Sequence, residues 1–167
     1  MSKQLLISDA NIIIDIAVAG LLEAMFSLDY EFGISDIQFS AELEGQHPEL
    51  PAAGLKLIEL QSKAINAAST LLENNTQLKV SIYDCLALSL AQQERCTLLT
   101  GDGKLKQLAI SEGVTVRGTL WLMEQMLVVG AITVDEAAHA YSKMLDDGSR
   151  LPKNEIQKQL KIFRTKK

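Results

Sequence analysis

Four carboxylates stand where their type and spacing could do chemistry: Asp9, Glu42, Asp84 and Asp102. Asp9 directly follows the apolar run Gln4–Ser8, Asp84 opens an apolar stretch, and Asp102 sits inside the turn Gly101-Asp102-Gly103. Glu42 falls late in the stretch that begins at Ser35, with Glu44 two residues on. Acids near a helix C-terminus oppose the helix dipole, so propensity gives no reason for them there and function gives one. Several carboxylates brought together at neutral pH repel, and desolvation adds to the cost. A divalent cation relieves both. Hard oxygen donors without His or Cys suit Mg²⁺ or Mn²⁺, which keep several waters and bind phosphate oxygens. Such a metal activates water and neutralises charge developing on phosphorus.

Taken singly, Asp9, Asp84 and Asp102 are each explained as well by helix capping. The joint arrangement depends on the elements that carry them. Gln4–Ser8, 30–34, 55–60, 97–100 and 114–116 are candidate strands. Between them lie helical stretches over 11–18, 21–28, 35–43, 62–72, 81–91 and 104–112, and further helices follow over 118–129, 133–145 and from Pro152 onward. His47 to Pro51, with two of the three prolines, is expected to be loop. Ser81 is a plausible N-cap, with Asp84 completing an acidic capping box. The helix that follows is apolar on most sides and therefore expected to be buried. Strands alternating with helices imply a parallel sheet with helices on both faces. In such a sheet ligands bind at the carboxyl edge, and all four acids lie on the strand-to-helix side.

The 167 residues carry a formal charge of −5, unevenly distributed. Residues 150–167 hold seven basic side chains against Glu155 alone, a charge of +6, and leave −11 on the remainder. A basic tail on an acidic body suggests nucleic-acid contact, or a solvated helix end. His47 and His139 lie apart from Cys85 and Cys96, which excludes a zinc reading. Two cysteines make no disulfide framework. No G-x-x-x-x-G-K-[ST] loop, G-x-G-x-x-G turn or G-x-S-x-G elbow occurs, and no acidic pair follows the first strand. With no signal sequence and no segment fit to span a bilayer, the expectation is a soluble, cytoplasmic protein.

These motifs resemble the PIN domain, the nuclease fold of VapC-type toxins. LLISDANIII is similar to that family's first strand ending in a metal-binding Asp, with Asn11 at a position often held by a small polar residue. SDIQFSAEL matches its Ser followed by Glu-Leu and points to Glu42 rather than Glu44. SIYDCLALSLA supplies Asp84, and LLTGDGKL supplies Asp102 with Thr100 beside it. EGVTVRGTLWLMEQMLVVGAIT resembles the closing strand and Gly-Thr-Leu helix. One departure is that Lys104 and Lys106 stand where some members carry an additional acid, leaving fewer ligands.

The resemblance implies a three-layer α/β/α fold with a central, mostly parallel sheet over residues 1–130, plus a C-terminal helical extension over 131–167 packed on the same domain. It implies a Mg²⁺- or Mn²⁺-dependent ribonuclease, in specific form the toxin of a toxin–antitoxin pair, with water attacking an RNA phosphodiester. Asp9, Asp84 and Asp102 would hold the metal, Glu42 would bind it or orient the water, and Thr100 and Asn11 would support them. Lys104, Lys106 and Arg117 are the candidate phosphate contacts. Partners would be RNA, an antitoxin protein and a second copy of the chain, with Trp121, Leu122 and Met126 as a dimer face or, alternatively, core. The competing reading is a catalytically inactive PIN-like module that binds protein or RNA.

Overall fold

The structure is a computed structural model that describes residues 3–166. Its centre is β1 (Gln4–Ser8), whose successive residues feed opposite faces of the sheet: Leu6 packs into one apolar cluster and Ile7 into the other. Beside it run β2 (Tyr30–Ser35), β3 (Lys56–Ile58), β4 (Thr97–Leu99) and β5 (Val116–Arg117), in the order β3-β2-β1-β4-β5 with every pairing parallel. Because β1 is followed spatially by β2 on one side and β4 on the other, the topology reverses at β1. The crevice at that reversal lies beyond its carboxyl end, where Asp9 stands.

One face of the sheet is covered by α1 (Ala10–Val18), α2 (Leu22–Phe26) and α3 (Asp36–Glu42), together with α8 (Thr119–Val128), α9 (Val134–Asp146) and α10 (Lys153–Thr165). Leu122, Met126, Tyr141 and Ile156 enter the same buried cluster as Ile12, Ile13 and Ile16 of α1. The other face is covered by α5 (Ser62–Asn74), α6 (Ile82–Glu94) and α7 (Gly103–Ser111). Every residue of α6 from Cys85 to Ala91 is buried, as its all-round apolar sequence requires. None of the described helices is long and apolar enough to cross a membrane.

Two local expectations are revised, and one turn is added to the elements. The loop at His47–Pro51 runs into a short helix, α4 (Leu50–Ala53), because Pro51 falls in its first turn, where a missing N–H costs nothing. A 3₁₀ turn at Thr76–Leu78 follows α5 and ends at Lys79, which takes the left-handed conformation. The last strand lies at Val116–Arg117, because β4 already pairs there: Leu98 aligns with Val116 and Leu99 with Arg117. Leu122 and Met126 are fully buried and belong to the core, whereas Trp121 is half-buried against Tyr30 and reaches the surface.

Helix α3 is set by its cap. The buried Ser35 hydroxyl accepts from the Gln38 amide at 3.0 Å, which fixes the rotation of the turn that carries Gln38 and, one turn on, Glu42. Ser35→Ala is expected to lower stability by about 0.5–2 kcal/mol. The measurement is a urea titration, and an unchanged midpoint would show that the cap does not hold this helix.

Candidate active site at the carboxyl edge of the sheet

Asp9 occupies the N-cap position of α1, yet its side chain makes no capping hydrogen bond. It is only 3% exposed. Its two oxygens instead face other parts of the chain: Thr100 Oγ1 donates to Oδ2 at 3.1 Å, and Gln38 Nε2 approaches Oδ1 at 3.4 Å. Of the three acids that capping would explain equally well, Asp9 is thus the one that does not cap. Burial pushes its pKa up from 3.8 to about 6; repulsion from Asp84 and Glu42 adds to the rise, and the Thr100 hydrogen bond opposes it.

Asp84 and Asp102 do cap their helices. Asp84 and Ser81 form the reciprocal capping box, at 2.8 and 3.0 Å, and Asp102 Oδ1 accepts from the Lys104 amide at 2.8 Å. Both remain half-buried. Burial raises the Asp84 carboxyl against the pull of the Ser81 amide, and repulsion from Asp102 raises it further. Each carboxylate keeps an oxygen outside its cap bond, so capping and site duties are compatible. Thr100 links two of the acids, since its hydroxyl also accepts from the Asp102 amide at 3.1 Å.

Glu42 ends α3 and is exposed, but its Oε1 accepts from Gln38 Nε2 at 2.8 Å. Gln38 is the residue the sequence reading missed. It is fully buried, it bridges Asp9 and Glu42 through one amide nitrogen, and its Oε1 has no partner among the described residues. Its only signal was a polar residue four before Glu42, hence on the same helix face. Glu44 lies beyond α3 and takes no part in these bonds. Asn11 is exposed, hydrogen-bonds none of the acids directly, and lines the same groove as Asp102. Lys104, Lys106 and Arg117 are exposed, and none is ion-paired among the described residues.

Mutual electrostatic influence joins Asp9 to Asp84 and Glu42, and Asp84 to Asp102. Even so, no three Asp, Glu, His or Cys among the described residues stand close enough together to form a ready-made metal cage. These observations concern different ranges: carboxylates feel one another through several ångströms, whereas direct ligands share one ion. The donor set suits a hard cation that keeps most of its water and takes one or two carboxylates directly, as Mg²⁺ does. Asp9, desolvated and repelled by its neighbours, fits that partner.

The fold and this edge define a class, an all-parallel α/β/α domain with mutually repelling acids at the carboxyl edge beside its topological reversal. The chain belongs to the PIN-domain family: the family model DUF3368, a PIN domain, matches residues 5–165. Members of this family are commonly nucleases. No curated protein matches the chain. Among solved structures it is similar to a PilT N-terminus domain protein from the hyperthermophilic archaeon Sulfolobus solfataricus P2. The identity is 13% and the TM-score 0.49, over 74% of this chain and 94% of that one.

Proposed function

We propose that the protein hydrolyses RNA phosphodiester bonds with a Mg²⁺ or Mn²⁺ ion held at this crevice. The observation that carries the reading is Asp9: buried, uncapping, with a raised pKa and flanked by two further acids. Asp9, Asp84 and Asp102 would hold the ion, which supplies an activated water and neutralises charge on the phosphorus. Thr100 fixes the Asp9 carboxylate by its hydrogen bond to Oδ2. Gln38 fixes Glu42 through Oε1, so that its other oxygen can orient water or take up a proton. The spread of the acids favours a second reading, a metal-independent binding module. An antitoxin partner belongs with the toxin form of the first reading.

The deciding assay incubates single-stranded RNA with Mn²⁺ and either the parent protein or Asp102→Asn. Asn can still accept the Lys104 amide, so the cap survives while the charge is lost. Cleavage is expected from the parent, falling by at least ~10² in the variant, the scale of losing one preorganised charge-stabilising group. No cleavage by a folded parent protein that binds RNA equally with and without metal would establish the binding module instead.

A further inference from the structure

The acids account for one side of the crevice and leave Thr119 unexplained. Thr119 is the first residue of α8, it is 4% exposed, and its hydroxyl has no hydrogen-bond partner among the described residues. A buried hydroxyl without a partner is costly, so native structures rarely keep one without a use. The residue lines two grooves that meet at Gly101, Arg150 and Leu151. The first, of about 790 Å³, is of mixed charge, with Asp15, Asp102 and Asp147 beside Lys79, Lys104 and Arg150; the second, of about 250 Å³, carries the cations Lys106, Arg117 and Arg150 with Trp121 and no acid.

The start of α8 is otherwise bare. Its cap is Gly118, which offers no side chain, so the first amides of the helix have no side-chain acceptor and the positive end of its dipole is open. A helix start with free amides, a hydroxyl and flanking cations is chemistry that recognises a phosphate. The backbone just before Arg150 is anchored at Ser149, whose hydroxyl donates to Asp15 of α1 and whose amide donates to the Met144 carbonyl at 3.0 Å. Arg150 itself is exposed and ion-pairs with none of the described residues.

We infer that the N-terminus of α8, through the Thr119 hydroxyl and the Arg150 guanidinium, binds a phosphodiester of a single nucleic-acid strand, next to the one presented to the acids. This rests on the nuclease reading for its substrate class, and the site adjoins Asp102 without drawing on any of the four carboxylates. The half-buried Trp121 in the second groove gives a base of the same strand an aromatic surface to lie against, which a duplex with stacked bases does not offer.

The test is fluorescence anisotropy with a labelled single-stranded RNA dodecamer in EDTA, where cleavage cannot occur, comparing the parent with Thr119→Val and Arg150→Ala. Thr119→Val is expected to bind about tenfold more weakly while melting no lower, since the hydroxyl it removes has no partner in the fold. Arg150→Ala is expected to weaken binding and flatten its log–log salt dependence by about one. Unchanged affinity and salt slope in both variants, or no RNA binding by the parent, would overturn the inference. So would inorganic phosphate raising the parent's melting temperature while the RNA does not bind, because the site would then take a free anion. RNA binding that depends on Thr119, with no cleavage in Mn²⁺, would uphold this site and sink the nuclease reading.

Discussion

At about pH 7, Asp9→Asn is expected to melt above the parent protein, and near pH 4 the two should melt together. The sign follows from the direction of the shift. A carboxyl whose folded pKa is raised from 3.8 to about 6 is neutral in both states at low pH and contributes no penalty there. As pH rises through that window, the unfolded chain ionises freely while the folded chain resists, so stability falls until Asp9 is fully charged. The full penalty is roughly 3 kcal/mol, with little solvent screening at 3% exposure. Asn serves only one of the two donors at Oδ1 and Oδ2 well, giving back ~1 kcal/mol. A net gain of about 2 kcal/mol corresponds to roughly 4–8 °C for a domain of this size. Burial also pushes the Asp15 and Asp84 carboxyls up, so the informative quantity is the difference between the two proteins across pH. Saturating Mn²⁺ should close that gap by raising the parent alone, since an ion bound only to the folded state stabilises it by mass action. A variant that melts below the parent at every pH would mean that the buried carboxylate is comfortable and the crevice needs no cation.

Thr100→Val should produce the opposite sign with a similar size. The side chain keeps its shape and loses a hydroxyl that donates to Asp9 Oδ2 and accepts from the Asp102 amide, both at 3.1 Å, in a site 3% exposed. An ionised carboxylate then lacks a donor and an amide lacks its acceptor. The expected loss at neutral pH is about 2–4 kcal/mol. Because the Thr100 bond holds the Asp9 pKa down, its removal pushes that pKa further up, and the loss shrinks towards pH 4, where Asp9 is neutral in either protein. In an Asp9→Asn background this pH dependence should vanish, and the double-mutant cycle isolates the coupling. Thr100→Ser should restore most of the stability. A loss that is flat with pH in both backgrounds would reduce Thr100 to ordinary packing.

The parts legible in the sequence are those written in local patterns. Strand β1 and the acid after it, the capping box of Ser81 and Asp84, and the turn at Asp102 each occupy a few consecutive residues. Their types suffice to name them. The parallel order of the sheet followed from the alternation of elements, and it brought the four acids to one edge in outline. Gln38 and Thr119 were not legible, because neither has a meaning until distant chain arrives beside it. Gln38 matters through Asp9, 29 residues away, and Thr119 through two grooves closed by Arg150.

Thr100 and Asp9 are 91 residues apart, and the strands that carry them pair directly, with the Asp9 amide donating to Leu99. This long loop must close before the crevice exists at all, which places its assembly among the slow, non-local steps of folding. On a ribosome adding roughly 5–20 residues per second, Asp9 waits about 5–20 s for its partner to be synthesised. The growing chain is therefore without this site until β4 has been made, and whatever chemistry the acids perform begins only after the segment through β4 has left the exit tunnel.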